Sequence, residues 1–389
     1  MNGLLDIPLD GLAGLMRGVT ELESVPGGIV PLRLPAWTRT QQADEWIELW
    51  GAHTLGVRLV TLTSASHIRI TATVTRMAPA PGEEPLFVAG FLAAVDGVGV
   101  DHAVVSDGPR IVTLADRSRH DDPGPATTVT LTIGKADAPR QVEVWFPHSA
   151  SVVIHRVESD AELLPAPPSE RPRWVHHGSS ISHSLEALTP RETWPQLAAT
   201  ELDLELTNLA IAGNAQLDPF VARTIAAIPA DIVTLKLGVN VVNRDSMRDR
   251  AFVPALHGFL DLVREGNPGV PILVLTSIAS PALESTPGPS TKGADGMFTG
   301  SPRVIHPGDG TLTLARTREL VTNAVLKRRV ADPDLYLADG LELFGLGDSD
   351  LLRDGLHPSA EGYGLIAARF AARARDSTHA IGEAFARVL

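Results

Sequence analysis

The stretch Arg173-Trp-Val-His-His-Gly-Ser-Ser-Ile-Ser-His-Ser184 decides how the second half of the chain is interpreted. It opens with a short apolar run, Trp174-Val175, which favours a strand, and passes through Gly178 and two serines into a segment compatible with a helix. A serine at a sharp turn beyond a strand presents its hydroxyl to solvent, and the backbone N–H groups that follow can bind an anion. Gly/Ser pairs also mark ordinary turns, so this stretch alone does not define a catalytic site.

A second stretch, Arg353-Asp-Gly-Leu-His-Pro-Ser359, supplies the groups that such a serine needs. Asp354 precedes His357 by three residues, in a turn that opens a final helix. A serine nucleophile needs a histidine base, and that histidine needs a carboxylate to fix its tautomer. The spacing lets the carboxylate reach the Nδ1 side of the imidazole while Nε2 faces the serine. Pro358 suits a first helical turn, where its missing N–H costs nothing.

The length and composition limit which classes of protein the chain can belong to. A chain of 389 residues is long enough for two domains with full cores, and 44% hydrophobic with 20% charged residues is typical of a globular protein. The net charge of −13 argues against a nucleic-acid partner, because no basic patch stands out to neutralise phosphates.

The absence of cysteine excludes disulfides, thiolate catalysis and cysteine-based zinc sites. It fits a reducing cytoplasm, which is the expected location, because the stretch Met1–Asp10 lacks a basic region and does not resemble a signal peptide. No uncharged run approaches the roughly 18 apolar residues of a membrane span. We expect neither a cofactor nor a metal.

The first part of the chain reads as an all-β domain. From about 55 to 157, apolar residues alternate with polar ones, which predicts half-buried antiparallel strands separated by Pro/Gly/Asp turns. Several such strands favour a β-sandwich of the jelly-roll-like type. Trp37, Trp46 and Trp50 are expected to anchor the preceding segment in a core; a sugar-binding platform is the alternative.

A proline-rich connector, 163–173, separates this domain (1–162) from a second one (174–389). Beyond it, short apolar runs alternate with helical patterns, which predicts a parallel α/β sheet with ligands at the carboxyl ends of the strands. The predicted strands are 174–177, 204–210, 232–237, 271–276 and 335–338; the predicted helices are 194–200, 217–227, 251–265, 312–330 and 359–375.

One region breaks this alternation. Residues 277–311 are rich in Pro and Gly and contain Met297-Phe298 as an isolated apolar pair. A loop this long in a compact domain is typical of a functional lid or a disordered insert. Because it leaves the end of a core strand, we expect it to form a wall of the site.

Four polar groups fall after successive predicted strands: Ser180, Gly213, Asn240 and the Asp354/His357 pair. This order resembles the SGNH (GDSL-type) hydrolases, whose name comes from a Ser, a Gly, an Asn and a His in four blocks. Over residues 174 to about 375 the resemblance implies a flavodoxin-like, three-layer α/β/α hydrolase domain.

Two positions depart from the family pattern. Gly178-Ser-Ser-Ile181 has Ser179 where the family usually has Asp, as in a Gly-Ser-Ser-Ile branch, and Gly238-Val-Asn240 is followed by Val241 rather than Asp. The Asp-x-x-His-Pro block is intact.

The resemblance implies that Ser180 is the nucleophile, His357 the general base and Asp354 its orienting carboxylate. The backbone N–H groups of Ser180 and Gly213, with the Asn240 side-chain amide, would form the oxyanion hole. A neutral amide suits this role because it stabilises a developing negative charge without itself titrating.

Several residue assignments have alternatives. Ser179 is the other candidate nucleophile, and Asp354 is dispensable in relatives that use a Ser–His dyad. His176, His177 and His183 crowd the site; we expect strand-end packing or pocket lining rather than a metal site, since no carboxylate pair or cysteine accompanies them. The candidate substrate contacts are His177, His183, Asn214 and Arg244.

A sandwich ahead of such a domain is similar to two-domain carbohydrate esterases. By this analogy we expect a serine esterase that releases a short acyl group, acetyl foremost, from a sugar-like or polyhydroxylated small molecule. The alternatives are a lysophospholipase or thioesterase for longer acyl chains, and a non-catalytic carbohydrate-binding protein.

Overall fold

The computed structural model describes residues 4–43, 45–113, 118–306 and 308–389. The chain divides into two compact units. The first comprises the described residues up to Glu170 together with Leu185–Arg191, and the second comprises Arg171–Ser184 and Glu192–Leu389. We keep the division at the connector 163–173 as a proposal for the domain limits.

Two largely antiparallel sheets build the first unit. The larger one has eight strands in the described part of the chain and the smaller one has six. The larger sheet contains Leu5–Ile7, Glu21–Val25, Gly28–Leu32, His67–Ala78, Arg110–Thr113, Arg119–Asp122, Thr127–Thr132 and Ala150–Ser159. The smaller sheet contains Met16–Arg17, Arg58–Thr63, Gly90–Val95, Val98–Val104, Arg140–Trp145 and Leu164–Pro165. A helix, Glu45–Gly51, and two 3₁₀ turns, Leu9–Gly14 and Ala36–Gln41, complete the unit.

The alternating pattern explains how these sheets pack. Ile70 and Val74, on one face of the strand His67–Ala78, are fully buried, whereas the intervening Arg69, Thr71 and Thr73 are only partly buried. The apolar faces of both sheets belong to one hydrophobic cluster, in which residues such as Ile70 and Val142 come from different sheets. The predicted β-rich sandwich is therefore confirmed.

One predicted side-chain environment is wrong, and one buried side chain lies on the strand face that alternation assigns to polar residues. Trp37 is 41% exposed, so its expected place in a core is wrong. Trp145 alternates with the core valines but is also buried, because Arg58 lies over its ring at 4.6 Å and its indole N–H donates to Glu143 at 2.8 Å. A charged pair can thus cover an indole on the face that alternation predicts to be polar.

The second unit is built on a five-stranded parallel sheet. Its spatial order is Glu205–Asn208, Arg173–His177, Ile232–Lys236, Ile272–Leu275 and Leu335–Ala338. In chain order this is 2-1-3-4-5, the flavodoxin-like arrangement, in which ligands bind at the carboxyl ends of the strands where the order reverses.

Helices cover both faces of this sheet. On one face, Trp174 and Leu273 share a hydrophobic cluster with residues of Trp194–Glu201, Ala360–Ala374 and Ala380–Phe385. On the other face, His177 stacks on Phe259 of the helix Asp249–Gly266. The remaining helices are Ser180–His183, Pro219–Ala227, Val239–Arg244 and Leu314–Arg329, with 3₁₀ turns at Gly340–Glu342 and Leu346–Leu351. The predicted three-layer α/β/α fold is confirmed.

The predicted strands and main helices of this unit are present, with ends that differ by at most two residues. The short helices Val239–Arg244 and Ala380–Phe385 were not predicted. The segment 277–311 is not structureless, because Thr291–Lys292 and Phe298–Thr299 pair as an antiparallel hairpin. No helix within the described ranges is both long and apolar enough to cross a membrane.

Candidate active site

The turn that carries Ser180 follows the strand Arg173–His177 directly. Ser179 adopts an extended conformation and its Oγ accepts the Ile181 N–H at 3.3 Å, so it caps the helix Ser180–His183. Gly178 is required at the turn, since a Cβ there would lie 2.4 Å from Ser182 Oγ. The turn therefore uses the Ser179 hydroxyl for capping and leaves that of Ser180 for another partner.

Ser180, His357 and Asp354 form a continuous hydrogen-bonded chain. Ser180 Oγ lies 2.9 Å from His357 Nε2, and His357 Nδ1 lies 2.9 Å from Asp354 Oδ2. Because the carboxylate accepts the Nδ1–H, Nε2 is the acceptor for the serine hydroxyl proton. Ser180 is 7% exposed and Ser179 is fully buried, so only the Ser180 hydroxyl is both bonded to the base and open to solvent.

Asp354 is held as a carboxylate. Burial alone would raise its pKa, but the side-chain hydrogen bond and charge of His357 and the N–H groups of His357 and Leu356 lower the pKa to about 2. A permanently ionised carboxylate fixes the imidazole tautomer and stabilises the imidazolium that forms when the base takes a proton. The Asp354 carboxylate thus accepts hydrogen bonds from His357 and Leu356, and the two ring nitrogens of His357 are engaged by Asp354 and Ser180.

A backbone contact orients the Asn240 side chain. Asn240 lies in the first turn of Val239–Arg244, is 1% exposed, and its Oδ1 accepts the Ala215 N–H at 2.9 Å. An amide whose oxygen is fixed in this way must direct Nδ2 elsewhere. Gly238, at φ 112°, permits the sharp entry into this helix, where a Cβ would lie 2.9 Å from Ser277 Oγ.

Gly213 provides a second backbone group after the neighbouring strand. It has φ +67°, and its carbonyl accepts Arg244 Nε–H at 2.9 Å. The N–H of Ser180, as the first residue of its helix, has no acceptor within that helix. The three predicted oxyanion groups therefore sit on the loop after Glu205–Asn208, on the nucleophile turn and on the helix after Ile232–Lys236.

Three of the four candidate substrate contacts, His177, His183 and Asn214, have buried side chains, whereas Arg244 is exposed. His177 is 1% exposed and its Nδ1 lies 2.9 Å from the Leu209 carbonyl oxygen; His183 is fully buried. Asn214 is 1% exposed and donates to the Ala212 carbonyl at 2.8 Å. This placement favours the strand-end packing alternative for the histidines, and a contact between any of the three and substrate stays a prediction.

A buried hydrogen-bond network beneath the nucleophile turn was not identified from the sequence. His176 Nδ1 lies 2.6 Å from Thr234 Oγ1, and its Nε2 lies 2.8 Å from Ser182 Oγ. Burial lowers the pKa of His176 well below its ordinary value, so the imidazole is neutral. The polar residues within otherwise apolar strands were the only sequence signal for this network.

The contacts of the hairpin were also missed. The Phe298 N–H donates to the Asp354 carbonyl at 2.8 Å, and the Phe298 and His357 rings meet edge-on with centroids 5.6 Å apart. Ser280 Oγ donates to the Gly355 carbonyl at 2.8 Å. The isolated Met297-Phe298 pair was the available signal, although a pattern of residues does not reveal what an isolated aromatic touches.

The sequence and the fold have recognisable relatives. The model of the GDSL-like lipase/acylhydrolase family matches residues 177–365, and no curated protein matches the sequence. Among solved structures, a salicylyl-acyltransferase (SsfX3) from a tetracycline biosynthetic pathway has a TM-score of 0.75 and 24% identity, over 93% of this chain and 94% of that one.

Two further structures are similar over almost the full length. A putative GDSL-like lipase from Bacteroides ovatus has a TM-score of 0.68 and 15% identity, over 96% of this chain and 98% of that one. A family two carbohydrate esterase from Clostridium thermocellum has a TM-score of 0.59 and 15% identity, over 97% and 99% respectively. At these identities the likeness establishes the shared fold. The family match places a GDSL-like lipase/acylhydrolase domain at residues 177–365, which supports a serine ester hydrolase.

Proposed function

We propose that the protein removes a short acyl group, acetyl foremost, from a sugar-like or other polyhydroxylated alcohol through an acyl-enzyme intermediate. The observation that carries this proposal is the 2.9 Å contact between Ser180 Oγ and His357 Nε2, with Asp354 on Nδ1. The named carbohydrate esterase from Clostridium thermocellum adds support for the alcohol by fold analogy alone.

In the acylation step, Ser180 Oγ attacks the ester carbonyl carbon while His357 Nε2 takes the hydroxyl proton. The carbonyl oxygen gains a negative charge, which the N–H groups of Ser180 and Gly213 and the Asn240 amide stabilise. When the tetrahedral intermediate collapses, the C–O bond to the alcohol breaks and His357 returns the proton to the departing oxygen.

In the deacylation step, water takes the place of the alcohol. His357 removes a proton from the water, whose oxygen attacks the acyl carbon, and the bond to Ser180 Oγ breaks with return of the proton to the serine. The products are the carboxylic acid and the free enzyme. Asp354, ionised throughout, opposes the charge that His357 acquires in each step.

The test is hydrolysis of p-nitrophenyl esters from acetate to laurate, with Ser180→Ala and the matched control Ser179→Ala. We expect the highest kcat/KM at acetate or propionate, abolished in Ser180→Ala and retained in Ser179→Ala, because the Ser179 hydroxyl acts only as a helix cap. Asn240→Ala removes one oxyanion donor and is expected to lower kcat by roughly 100- to 1,000-fold. A fluorophosphonate should label every variant except Ser180→Ala.

Two other outcomes would support the alternative functions. A maximum at eight carbons or longer would identify a lysophospholipase-like or thioesterase activity on longer chains. No hydrolysis together with no fluorophosphonate label on Ser180 would favour the carbohydrate-binding protein without catalysis.

A further inference from the structure

The proposed mechanism fixes where the departing alcohol lies. His357 Nε2 takes the proton from Ser180 and must give it to the alcohol oxygen, so that oxygen comes within hydrogen-bond reach of Nε2. The carbonyl oxygen, by contrast, points toward the proposed oxyanion donors of Gly213 and Asn240. A side chain that packs against the His357 imidazole is therefore a neighbour of the departing alcohol.

Phe298 is such a side chain. Its ring centroid lies 5.6 Å from that of His357 at an interplanar angle of 71°, and the residue is only partly buried. Lys292, its partner in register across the hairpin, places Nζ 5.9 Å from the same ring centroid. A large apolar ring that keeps solvent access beside the acid–base group offers surface that a bound molecule can cover.

Backbone contacts hold this ring in place. The Phe298 N–H donates to the carbonyl of Asp354, the residue that orients the base, at 2.8 Å. On the other side of the segment, the Ser290 N–H donates to the Asn243 carbonyl at 2.8 Å, and Ser301 Oγ donates to the Pro289 carbonyl at 2.9 Å. The ring is thus presented by an anchored hairpin, which favours a preformed subsite.

We propose that Phe298 forms the wall of the leaving-alcohol subsite and selects esters whose alcohol is a ring with an apolar face, such as a sugar or another cyclic alcohol. This inference rests on the proposed function, because it takes His357 as the group that protonates the departing oxygen. Phe298 would then affect which alcohol the enzyme prefers and would not affect which acyl chain it prefers.

The experiment varies one side of the ester at a time. The experiment compares wild type with Phe298→Ala, Phe298→Leu and the control Thr299→Ala. One pair of substrates, methyl acetate and cyclohexyl acetate, shares the acyl group. The other pair, methyl acetate and methyl butyrate, shares the alcohol. Thr299 is the neighbouring exposed residue on the same hairpin strand. The ratio of kcat/KM between wild type and variant cancels the intrinsic reactivity of each ester.

Phe298→Ala should lower kcat/KM for cyclohexyl acetate roughly tenfold more than for methyl acetate, while the two methyl esters change by the same factor. Phe298→Leu should show a smaller effect in the same direction, and Thr299→Ala should show none. An equal loss on all esters would overturn the proposal in favour of a purely structural role, and a loss that depends on acyl length would assign Phe298 to the acyl pocket instead. Failure of the proposed function is separate, since it would appear as no hydrolysis of any ester by wild type or as hydrolysis that persists in Ser180→Ala.

Discussion

At the scale of single residues, the state of Asp354 controls how the site responds to acid. Four lowering contributions from His357 and Leu356 outweigh the effect of burial and bring its pKa to about 2. The carboxylate is therefore ionised wherever the protein is folded at ordinary pH, and the acid limb of the activity profile must come from another group. His357 can take the Ser180 proton only while its Nε2 is unprotonated.

The same shift predicts a pH-dependent stability. The folded-state pKa is below the ordinary value of 3.8, so Asp354 contributes stability above about pH 4 and loses it as the pH falls toward 2. The difference between these two pKa values corresponds to about 2 kcal/mol in the free energy of unfolding. In urea unfolding, the free-energy difference between wild type and Asp354→Asn should shrink by about that amount between pH 7 and pH 2.

Ser180→Ala is the control for this measurement, because it alters the same hydrogen-bonded chain without removing a charge. The difference in unfolding free energy between Ser180→Ala and wild type should stay constant over the same pH range. A pH-independent difference for Asp354→Asn as well would contradict the proposed ionisation of Asp354.

Much of this residue-scale chemistry was predictable. The order of Ser180, Asn240 and His357 along the chain, each after a predicted strand, was enough to propose one site, because parallel strands end at the same edge of a sheet. The preference for Ser180 over Ser179 came from the family resemblance, since both are serines in one turn and the residue pattern does not distinguish them. The Ala215 contact that orients Asn240 joins residues 25 positions apart, and no local pattern encodes it.

At the scale of elements, the strand Ile232–Lys236 shows that an apolar pattern can predict a strand without predicting the environment of every side chain in it. Its apolar run predicted a strand correctly, but Lys236 at its end is 1% exposed, and within the described residues its Nζ has no hydrogen-bond partner. Burial lowers the pKa of Lys236 from 10.5 to about 7. A terminal lysine would ordinarily be expected to reach solvent, so the sequence did not reveal this environment.

Replacing this lysine should stabilise the fold. Because burial penalises the charged form, wild type loses stability as the pH falls from 10.5 to about 7 and bears the full cost below that. Lys236→Met should therefore gain up to about 5 kcal/mol in unfolding free energy below pH 7, and the gain should shrink as the pH rises toward 10. Urea unfolding of both proteins at pH 6, 8 and 10 measures this gain in unfolding free energy.

Lys327→Met provides the matched control, since Lys327 is exposed in the last turn of Leu314–Arg329. It should change the unfolding free energy by less than about 0.5 kcal/mol at any of these pH values. A gain for Lys236→Met that does not vary with pH would show that packing, rather than the buried amine, is responsible.

At the scale of the whole molecule, the chain builds two separate cores. Ile70 belongs to the cluster of the first unit and Leu273 to that of the second, and both are fully buried. The change in texture at the proline-rich connector made two domains predictable, because alternation with period two gives way to strands that alternate with helices. The grouping of Leu185–Arg191 with the first unit was not predictable, as it depends on tertiary packing.

Separate cores predict separate responses to core truncation. Ile70→Ala and Leu273→Ala each remove a buried side chain and should each cost about 2–5 kcal/mol. In scanning calorimetry, each variant should lower the transition of its own unit and leave the other in place. If both variants shift one shared transition equally, the two units unfold as a single cooperative body.

The anchored segment 277–311 has a consequence for the engineering of this protein. Through Phe298 and Ser280 it contacts the loop of the base, and through Ser290 it contacts the helix that carries Asn240. A graft that replaces the whole segment to change substrate choice would remove supports of the acid–base group and the oxyanion donor together. Libraries that keep these three residues' backbone contacts and vary only outward side chains should therefore retain more active clones than segment swaps of equal size.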